Sequence, residues 1–189
     1  KRVLFRSLIG APFVTVSGKV SAGRGYLLFD PNLTLTDLNL ENSTVTINGT
    51  ESLHSLSKVV AGNGDIDGDG IPDFGIAVPS AFFIQFFLGK NATQWSADNI
   101  DPNFLLFNNS QNLNNSSGEN IPRFLSINGD VNGDGYHDIL IGADQEGTNS
   151  NLNGRVYLLF GRSDFNPINN GSLEDVADVI FIEIGRAHV

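Results

Sequence analysis

Cysteine is absent from this chain of 189 residues. Its absence excludes disulfide bonds, thiol catalysis and cysteine-based zinc sites, so a metal that cross-links the fold would need oxygen ligands. Long hydrophobic runs are missing too, and no apolar stretch approaches the roughly 18 residues that a membrane helix needs. We therefore expect no membrane insertion of this chain, and we look for a metal site among its oxygen-bearing side chains.

Basic residues are scarce, with 11 Lys and Arg against 21 Asp and Glu, and the formal net charge is −10. Such a surface repels nucleic-acid phosphates and anionic lipid head groups, so no nucleic-acid partner is expected. Hydrophobic residues make up 40% of the chain, which favours a packed core over a disordered tail. Cations and neutral surfaces are the partners that this composition favours.

Recognisable catalytic patterns are absent as well. The chain has no Ser-His-Asp order, no H-E-x-x-H and no glycine loop of the phosphate-binding kind, so no enzyme activity is expected. His54 and Trp95 are interpreted as structural residues, and His137 is expected to point outward.

The two ends of the chain are interpreted as translated sequencing adaptor. Residues 184–189 can be encoded by a DNA string whose reverse complement, read one base over, encodes residues 2–6 and then a codon that begins with T, which fits Ser7. We therefore expect 1–7 and 183–189 to be foreign to the protein, and natural codons in the source DNA would contradict this.

An internal repeat of about 65 residues organises the sequence between these ends. A tetrad that reads IGAP, IAVP or IGAD occurs three times, each time followed by an apolar run. The tetrads occupy residues 9–12, 76–79 and 141–144, and the runs occupy 25–30, 82–89 and 154–161. The predicted units are a partial repeat at 8–50 and two fuller repeats at 51–119 and 120–182.

The apolar runs are short, rich in Phe, Ile, Val, Leu and Tyr, and bounded by turn residues, which predicts strands. The predicted strands are 8–11, 26–29, 45–47, 57–61, 74–78, 82–88, 104–107, 124–127, 139–142, 155–160 and 179–182. No helix is predicted, and the hydrophilic stretches 108–120 and 147–153 are expected to be exposed loops. Four strands per repeat predict an all-β fold that is a fragment of a β-propeller with four-stranded antiparallel blades.

Two acid-rich strings recur 65 residues apart, GDIDGDGIPD at 64–73 and GDVNGDGYHD at 129–138. We call residues 65–73 the first acidic loop and residues 130–138 the second acidic loop. Oxygen-bearing side chains occupy positions 1, 3, 5 and 9 of each, namely Asp65, Asp67, Asp69, Asp73, Asp130, Asn132, Asp134 and Asp138. Ca²⁺ prefers about six to eight oxygen ligands, and a glycine at position 6 lets the backbone turn the next carbonyl, of Ile71 or Tyr136, toward an ion. Each loop therefore predicts a calcium site.

Other acidic loops fit less well. An EF-hand needs Glu at position 12, where Ile76 and Ile141 stand here, and dockerin and thrombospondin loops also want an acid near that position. Mg²⁺ is disfavoured because it prefers to keep waters in a small octahedron. A solvated turn without a metal is disfavoured because its crowded acids would repel one another. Calcium remains the preferred ion.

The loop spacing, the following I-G-A-P strand and the VYLLFG strand resemble the FG-GAP repeats of integrin α-subunit propellers. The resemblance implies a propeller of usually seven blades, with Ca²⁺ in the hairpin between the first two strands of a blade. It assigns metal ligation to the side chains of positions 1, 3, 5 and 9 and to the carbonyls of Ile71 and Tyr136. The central repeat departs from the pattern with IAVP and FFLG, and Asn132 replaces a carboxylate, which should weaken the second site.

Three functions are compatible with this resemblance. The first is an extracellular or cell-surface module that recognises a protein or glycan in cell adhesion. The others are a noncatalytic propeller of a secreted hydrolase or phospholipase, and a structural surface or matrix repeat. The further partner expected in each case is the remaining blades of the same propeller.

Glycosylation is a separate expectation from the N-x-S/T sequons. They begin at Asn32, Asn42, Asn48, Asn91, Asn108, Asn114, Asn115 and Asn170. They suit a eukaryotic secreted glycoprotein, whereas a bacterial source would leave them unused.

Overall fold

The structure is a computed structural model that describes residues 7–29, 45–81, 83–90, 95, 100, 102–107, 122–143, 147–148, 151–152, 154–165 and 171–182. The adaptor interpretation of 1–6 and 183–189, the expected loop at 108–120 and all sequons except that of Asn48 lie outside these residues. Ser7, which the adaptor interpretation includes, begins the first strand.

Short strands dominate the described segments. They are β1 (Ser7–Ala11), β2 (Arg24–Leu28), β3 (Val45–Asn48), β4 (Val59–Gly64), β5 (Asp73–Val78), β6 (Phe83–Phe87), β7 (Phe104–Phe107), β8 (Phe124–Gly129), β9 (Asp138–Ala143), β10 (Gly147–Thr148), β11 (Asn151–Leu152), β12 (Arg155–Leu159), β13 (Gly171–Ser172) and β14 (Val179–Ile182). The helical elements described are a 3-10 turn at Pro79–Ala81 and a four-residue helix, α1 (Leu173–Val176). The all-β prediction is confirmed, and no described helix has the length and apolar character to cross a membrane.

The strands form one sheet for each repeat. The first sheet has the order β1-β2-β3, the second β4-β5-β6-β7 and the third β8-β9-β12-β14, all with antiparallel neighbours. Strand β13 adds two residues in parallel to the outer side of β7. The second and third sheets are four-stranded blades of a β-propeller fragment, and the described part of the first sheet has three strands, of which β1 corresponds to β5 and β9.

The blades pack against one another through their inner strands β4 and β8, and β1 of the first sheet packs against β4. Side chains from all three sheets share one hydrophobic core, which includes Ile47, Phe74, Ile127 and Tyr157. Glycine permits close approach at the interface, because a Cβ at Gly64 would overlap the backbone of Ile127. The inner strands therefore hold the acidic loops of successive blades next to each other.

Some strand bounds, one expected loop and one helix differ from the predictions. Strand β4 runs on to Gly64 instead of ending at residue 61, because a bulge between Gly62 and Gly64 keeps it paired up to the loop. The expected loop at 147–153 contains the antiparallel pair β10 and β11. The unpredicted helix α1 is too short for a sequence periodicity, and its acidic residues Glu174 and Asp175 lie in the first turn, where the helix dipole favours them.

Candidate metal centre

The two acidic loops occupy the same place in neighbouring blades. The first joins β4 to β5 and the second joins β8 to β9, as expected from the resemblance. Both contain two glycines with left-handed backbone, Gly68 and Gly70 at φ 74° and 78°, and Gly133 and Gly135 at φ 76° and 93°. The glycine at position 6 was expected from the sequence, whereas the one at position 4 was not. The repeated G-x-G spacing was the signal that could have revealed it.

Side chains of the first acidic loop hold its backbone in a tight turn. The N–H of Gly70 donates to Asp65 Oδ2 over 2.9 Å, and the N–H of Asp69 donates to Asp67 Oδ1 over 3.2 Å. Asp69 Oδ1 in turn accepts from the N–H of Ile71 at 2.7 Å. Positions 1, 3 and 5 therefore fold the loop as well as supply oxygen atoms.

The second acidic loop repeats these bonds at the same positions. Asp130 Oδ2 accepts from the N–H of Gly135 at 3.0 Å, and Asn132 Oδ1 accepts from the N–H of Asp134 at 3.1 Å. Asp134 Oδ1 accepts from the N–H of Tyr136 at 2.9 Å. Neutral Asn132 can replace the acid at position 3 in this turn because only its carbonyl oxygen is needed.

The aspartate at position 9 is buried in both loops, and each of its carboxylate oxygens accepts a hydrogen bond from a backbone N–H group. Asp73 Oδ2 accepts from the N–H of Ile66 and Oδ1 from the N–H of Gly89, both over 2.6 Å. Asp138 makes the same two bonds with Val131 and Gly161, at 2.6 and 3.0 Å. This aspartate ties the start of each loop to the end of the third strand of its blade, a role that the sequence analysis did not identify.

Two carboxylates of the first acidic loop have a raised pKa. Burial raises the pKa of Asp73 to about 7, with the charges of Asp67 and Asp65 adding to the effect against its backbone hydrogen bonds. Burial also raises the pKa of Asp67, and repulsion from Asp69 and Asp65 acts in the same direction. A bound cation would favour the charged form of both groups.

Three of these carboxylates converge. Asp65, Asp67 and Asp73 each place an oxygen within 4.8 Å of the others, the one such group of acidic, histidine or cysteine side chains in the described residues. Asp65 Oδ1 is buried and has no hydrogen-bond partner. Asp69 is not part of this group. Ile71, two residues further along the chain, is buried. An unpaired buried carboxylate oxygen next to two other acids is a donor set that suits a hard cation.

The second acidic loop is more open. Asp130 Oδ1, which corresponds to the unpaired oxygen of Asp65, accepts from the N–H groups of Gly133 and Asp134 at 2.7 and 3.1 Å. Asn132 Nδ2 donates to Asp134 Oδ2 over 2.9 Å. The predicted ligands of this loop therefore bond chiefly to one another and to their own backbone.

Residues of the third blade cover the first acidic loop. The N–H of Asp65 donates to His137 Nδ1 over 2.8 Å, and the N–H of His137 donates to the carbonyl of Asp65 over 2.9 Å. The ring of Tyr136 lies so close to Gly68 that a Cβ there would clash with it. The expectation that His137 points outward is therefore wrong. Its partner, Asp65, lies 72 residues away, so no local sequence pattern indicated the contact.

Three other residues singled out in the sequence make hydrogen bonds in the described segments. Trp95 is buried, with its Nε1–H donating to the carbonyl of Lys90 at 3.0 Å. The carbonyl of His54 accepts a bond from the Ser80 hydroxyl. Asn48, the described sequon residue, accepts from Arg24 Nε at 2.7 Å.

Comparison with known families agrees with this geometry. Residues 128–159 match the FG-GAP repeat family model, and this segment contains the second acidic loop and strands β9 and β12. No curated protein matches the chain. The FG-GAP repeat and the four-stranded blades together indicate integrin-like propeller repeats.

Proposed function

We propose that the chain is a noncatalytic, calcium-binding propeller module that works outside the cell or at its surface, where it recognises a protein or glycan. The observation that carries the calcium part is the unpaired, buried Oδ1 of Asp65 within the group formed with Asp67 and Asp73. Burying a carboxylate oxygen without a partner is unfavourable, and a divalent cation removes that cost.

The donor chemistry of both loops supports calcium over other ions. All the predicted side-chain ligands are oxygen atoms, and no cysteine or histidine stands among them. The side chains of Asp65, Asp67, Asp69 and Asp73 and the carbonyl of Ile71 would hold the first ion. Asp130, Asn132, Asp134, Asp138 and the carbonyl of Tyr136 would hold the second. The ion would neutralise the crowded acids and lock the hairpin between the first two strands of each blade.

The direct test is a calcium titration of chelator-treated protein by calorimetry, with thermal unfolding in Ca²⁺ and in EGTA. We expect two bound ions and a melting temperature that rises with Ca²⁺, because an ion that binds only the folded state stabilises it by mass action. Extracellular calcium modules bind with dissociation constants of about 10⁻⁴ to 10⁻³ M, which sets the concentration range. No bound ion and an unchanged melting temperature would contradict the proposal.

Matched variants test the assignment to the loops. Asp65→Ala should remove the first ion and Asp130→Ala the second. Glu51→Ala changes one exposed acid outside both loops and should remove neither. Equal loss of calcium in all three would point to a general effect of charge.

The recognition part rests on the end of the blades opposite the acidic loops. There the connection between β1 and β2 meets the segment that leads into β4, through a bond from the N–H of Leu53 to the carbonyl of Val20 at 2.9 Å. Phe13, Val20 and Leu53 are exposed on these connections by 72%, 59% and 67%. Exposed large apolar side chains on irregular segments are typical of contact surfaces.

The backbone of these connections supports the same interpretation. Five non-glycine residues have left-handed backbone there, Ser17, Ser21, Leu53, Ser55 and Ser57, with φ between 48° and 68°. Strained backbone of this kind persists where the surrounding structure enforces it, and it is common at binding sites. We therefore place the recognition surface at this end.

An array of extracellular matrix proteins and glycans tests the recognition part. Binding should require Ca²⁺ and should be lost in the variant Phe13→Ser with Leu53→Ser. Phe181→Ser, which changes an exposed aromatic residue on β14, is the matched control and should bind normally. Equal loss of binding in both variants, or binding that EGTA leaves unchanged, would contradict the proposed recognition surface.

A further inference from the structure

We infer that the two acidic loops are energetically coupled, with His137 of the second loop acting as a positioning residue for the calcium site of the first. This inference rests on the proposed calcium binding and adds a regulation to it. A metal ion bound in the second loop would then increase the affinity of the first.

The contact that carries the inference is a double hydrogen bond between His137 and Asp65. Nδ1 of His137 accepts from the N–H of Asp65 at 2.8 Å, and the N–H of His137 donates to the carbonyl of Asp65 at 2.9 Å. Asp65 is position 1 of the first loop and carries the unpaired, buried Oδ1. His137 therefore binds both backbone polar groups of a residue whose side chain would hold the first ion.

The position of His137 in its own loop connects this contact to the second site. Its neighbours are Tyr136 and Asp138, positions 7 and 9 of the second loop, both predicted ligands of the second ion. Asp138 is already anchored by the N–H groups of Val131 and Gly161. An ion that orders residues 136 and 138 also orders His137 between them, and His137 in turn holds the backbone of Asp65. Part of the conformational entropy cost of ordering Asp65 is therefore met before the first ion binds.

Two further contacts join the loops. The ring of Tyr136 covers Gly68, at position 4 of the first loop. At the end of β12, the N–H of Gly161 donates to Asp138 Oδ1 at 3.0 Å, and the next N–H, of Arg162, donates to the carbonyl of Ile66 at 2.9 Å. Residues on both sides of the first loop thus depend on the arrangement of the second.

In the described residues the second loop covers the first loop, whereas the second loop is not covered in return. Ile66, position 2 of the first loop, is fully buried at 0% exposure, whereas Val131 at the same position of the second loop is 68% exposed. The contacts between the blades therefore support the first loop rather than the second. In binding free energy, however, the coupling must be reciprocal, and each ion must change the affinity of the other by the same factor.

The test follows each loop separately in the full chain, through the amide NMR resonances of Gly70 and Gly135 during a Ca²⁺ titration. The variant Asp134→Asn weakens the second site and keeps an oxygen for the N–H of Tyr136. We expect it to lower the affinity of the first loop on the order of tenfold, a usual size for coupling between sites. An unchanged affinity at Gly70 would overturn the inference.

His137 is tested by two substitutions. His137→Leu removes the acceptor and should lower the affinity of the first loop to the value seen in Asp134→Asn, with no further loss when both changes are combined. His137→Asn places an amide oxygen where Nδ1 stands and should restore coupling. Additive losses in the double variant would overturn the role of His137. If His137→Leu is too unstable to interpret, His137→Asn decides, and an affinity at Gly70 as low as that of Asp134→Asn would overturn the role as well.

The outcome also separates this inference from the proposed function. Two sites that bind Ca²⁺ independently would leave the calcium function standing and overturn the coupling. Resonances of Gly70 and Gly135 that do not respond to Ca²⁺ would overturn both.

Discussion

The first acidic loop is covered by a neighbouring blade and the second is open to solvent, although the two share their turn geometry. In each, the side chains at positions 1, 3 and 5 accept from backbone N–H groups two to five residues ahead. Only in the first is the residue at position 2 fully buried and an acidic oxygen left without a partner. Local sequence therefore builds the turn, while the next blade determines how strongly the acids of that turn require a cation.

The largest effect is expected at position 9. Asp73→Ala would leave the buried N–H groups of Ile66 and Gly89 without acceptors, and hydrogen bonds to a charged group contribute about 1.5–3 kcal/mol each. We expect the free energy of unfolding to fall by about 3–6 kcal/mol on this basis, measured by urea denaturation. Asp73→Asn keeps one acceptor and should lose about half as much. A cost below that of an ordinary surface change would contradict the anchoring role.

The next effect compares position 2 of the loops. Ile66→Ala removes a fully buried side chain and should cost about 2–4 kcal/mol, whereas Val131→Ala at a mostly exposed position should stay within about 0.5 kcal/mol. Denaturation of the two variants under the same conditions measures the difference. Equal costs would mean that the second loop is covered in solution as well.

Position 4 tests the contact with Tyr136. Both Gly68 and Gly133 have left-handed backbone, so an alanine at either should cost about 1–2 kcal/mol. Gly68→Ala must also displace the Tyr136 ring, whereas nothing stands within 4 Å of a Cβ at Gly133. We expect Gly68→Ala to be the more destabilising, and Tyr136→Ala to relieve part of its excess in the double variant. Identical costs at both glycines would argue against the packing of Tyr136 on the first loop.

The smallest effect concerns position 3. Asn132→Asp gives the second loop the same side-chain ligands as the first, and an added carboxylate should raise its calcium affinity by a factor of about 3–10. The titration monitored at Gly135 measures this change, and Asn132→Ser, which adds no charge, is its control. A gain of equal size in Asn132→Ser would show that charge is not the reason.

Much of the fold was predictable because its signals are local. The tetrads and apolar runs located β5, β9 and β12 to within one residue at either end, since apolar runs between turn residues mark buried strands. The bulge at Gly62 to Gly64 was not predictable, because pairing at that point depends on the facing strand β5. The pair β10 and β11 was hidden by its polar composition.

The candidate site divides in the same way. The acidic positions and the glycines at position 6 could be assigned from spacing alone. The backbone anchoring of position 9 could not, because Gly89 and Gly161 lie 16 and 23 residues from Asp73 and Asp138. His137 was wrongly expected to point outward, because its partner Asp65 lies 72 residues away in the sequence.

By itself, the sequence determined a repeated β-blade with an acid-rich hairpin, since strand patterns and turn-forming bonds act over a few residues. Tertiary structure alone decided that Asp73 and Asp138 are buried anchors, that Asp65 keeps an unpaired oxygen and that His137 and Tyr136 cover the first acidic loop. The physical reason is that burial and cross-blade hydrogen bonds depend on which strands pack together. Two loops with nearly the same sequence therefore acquire different surroundings.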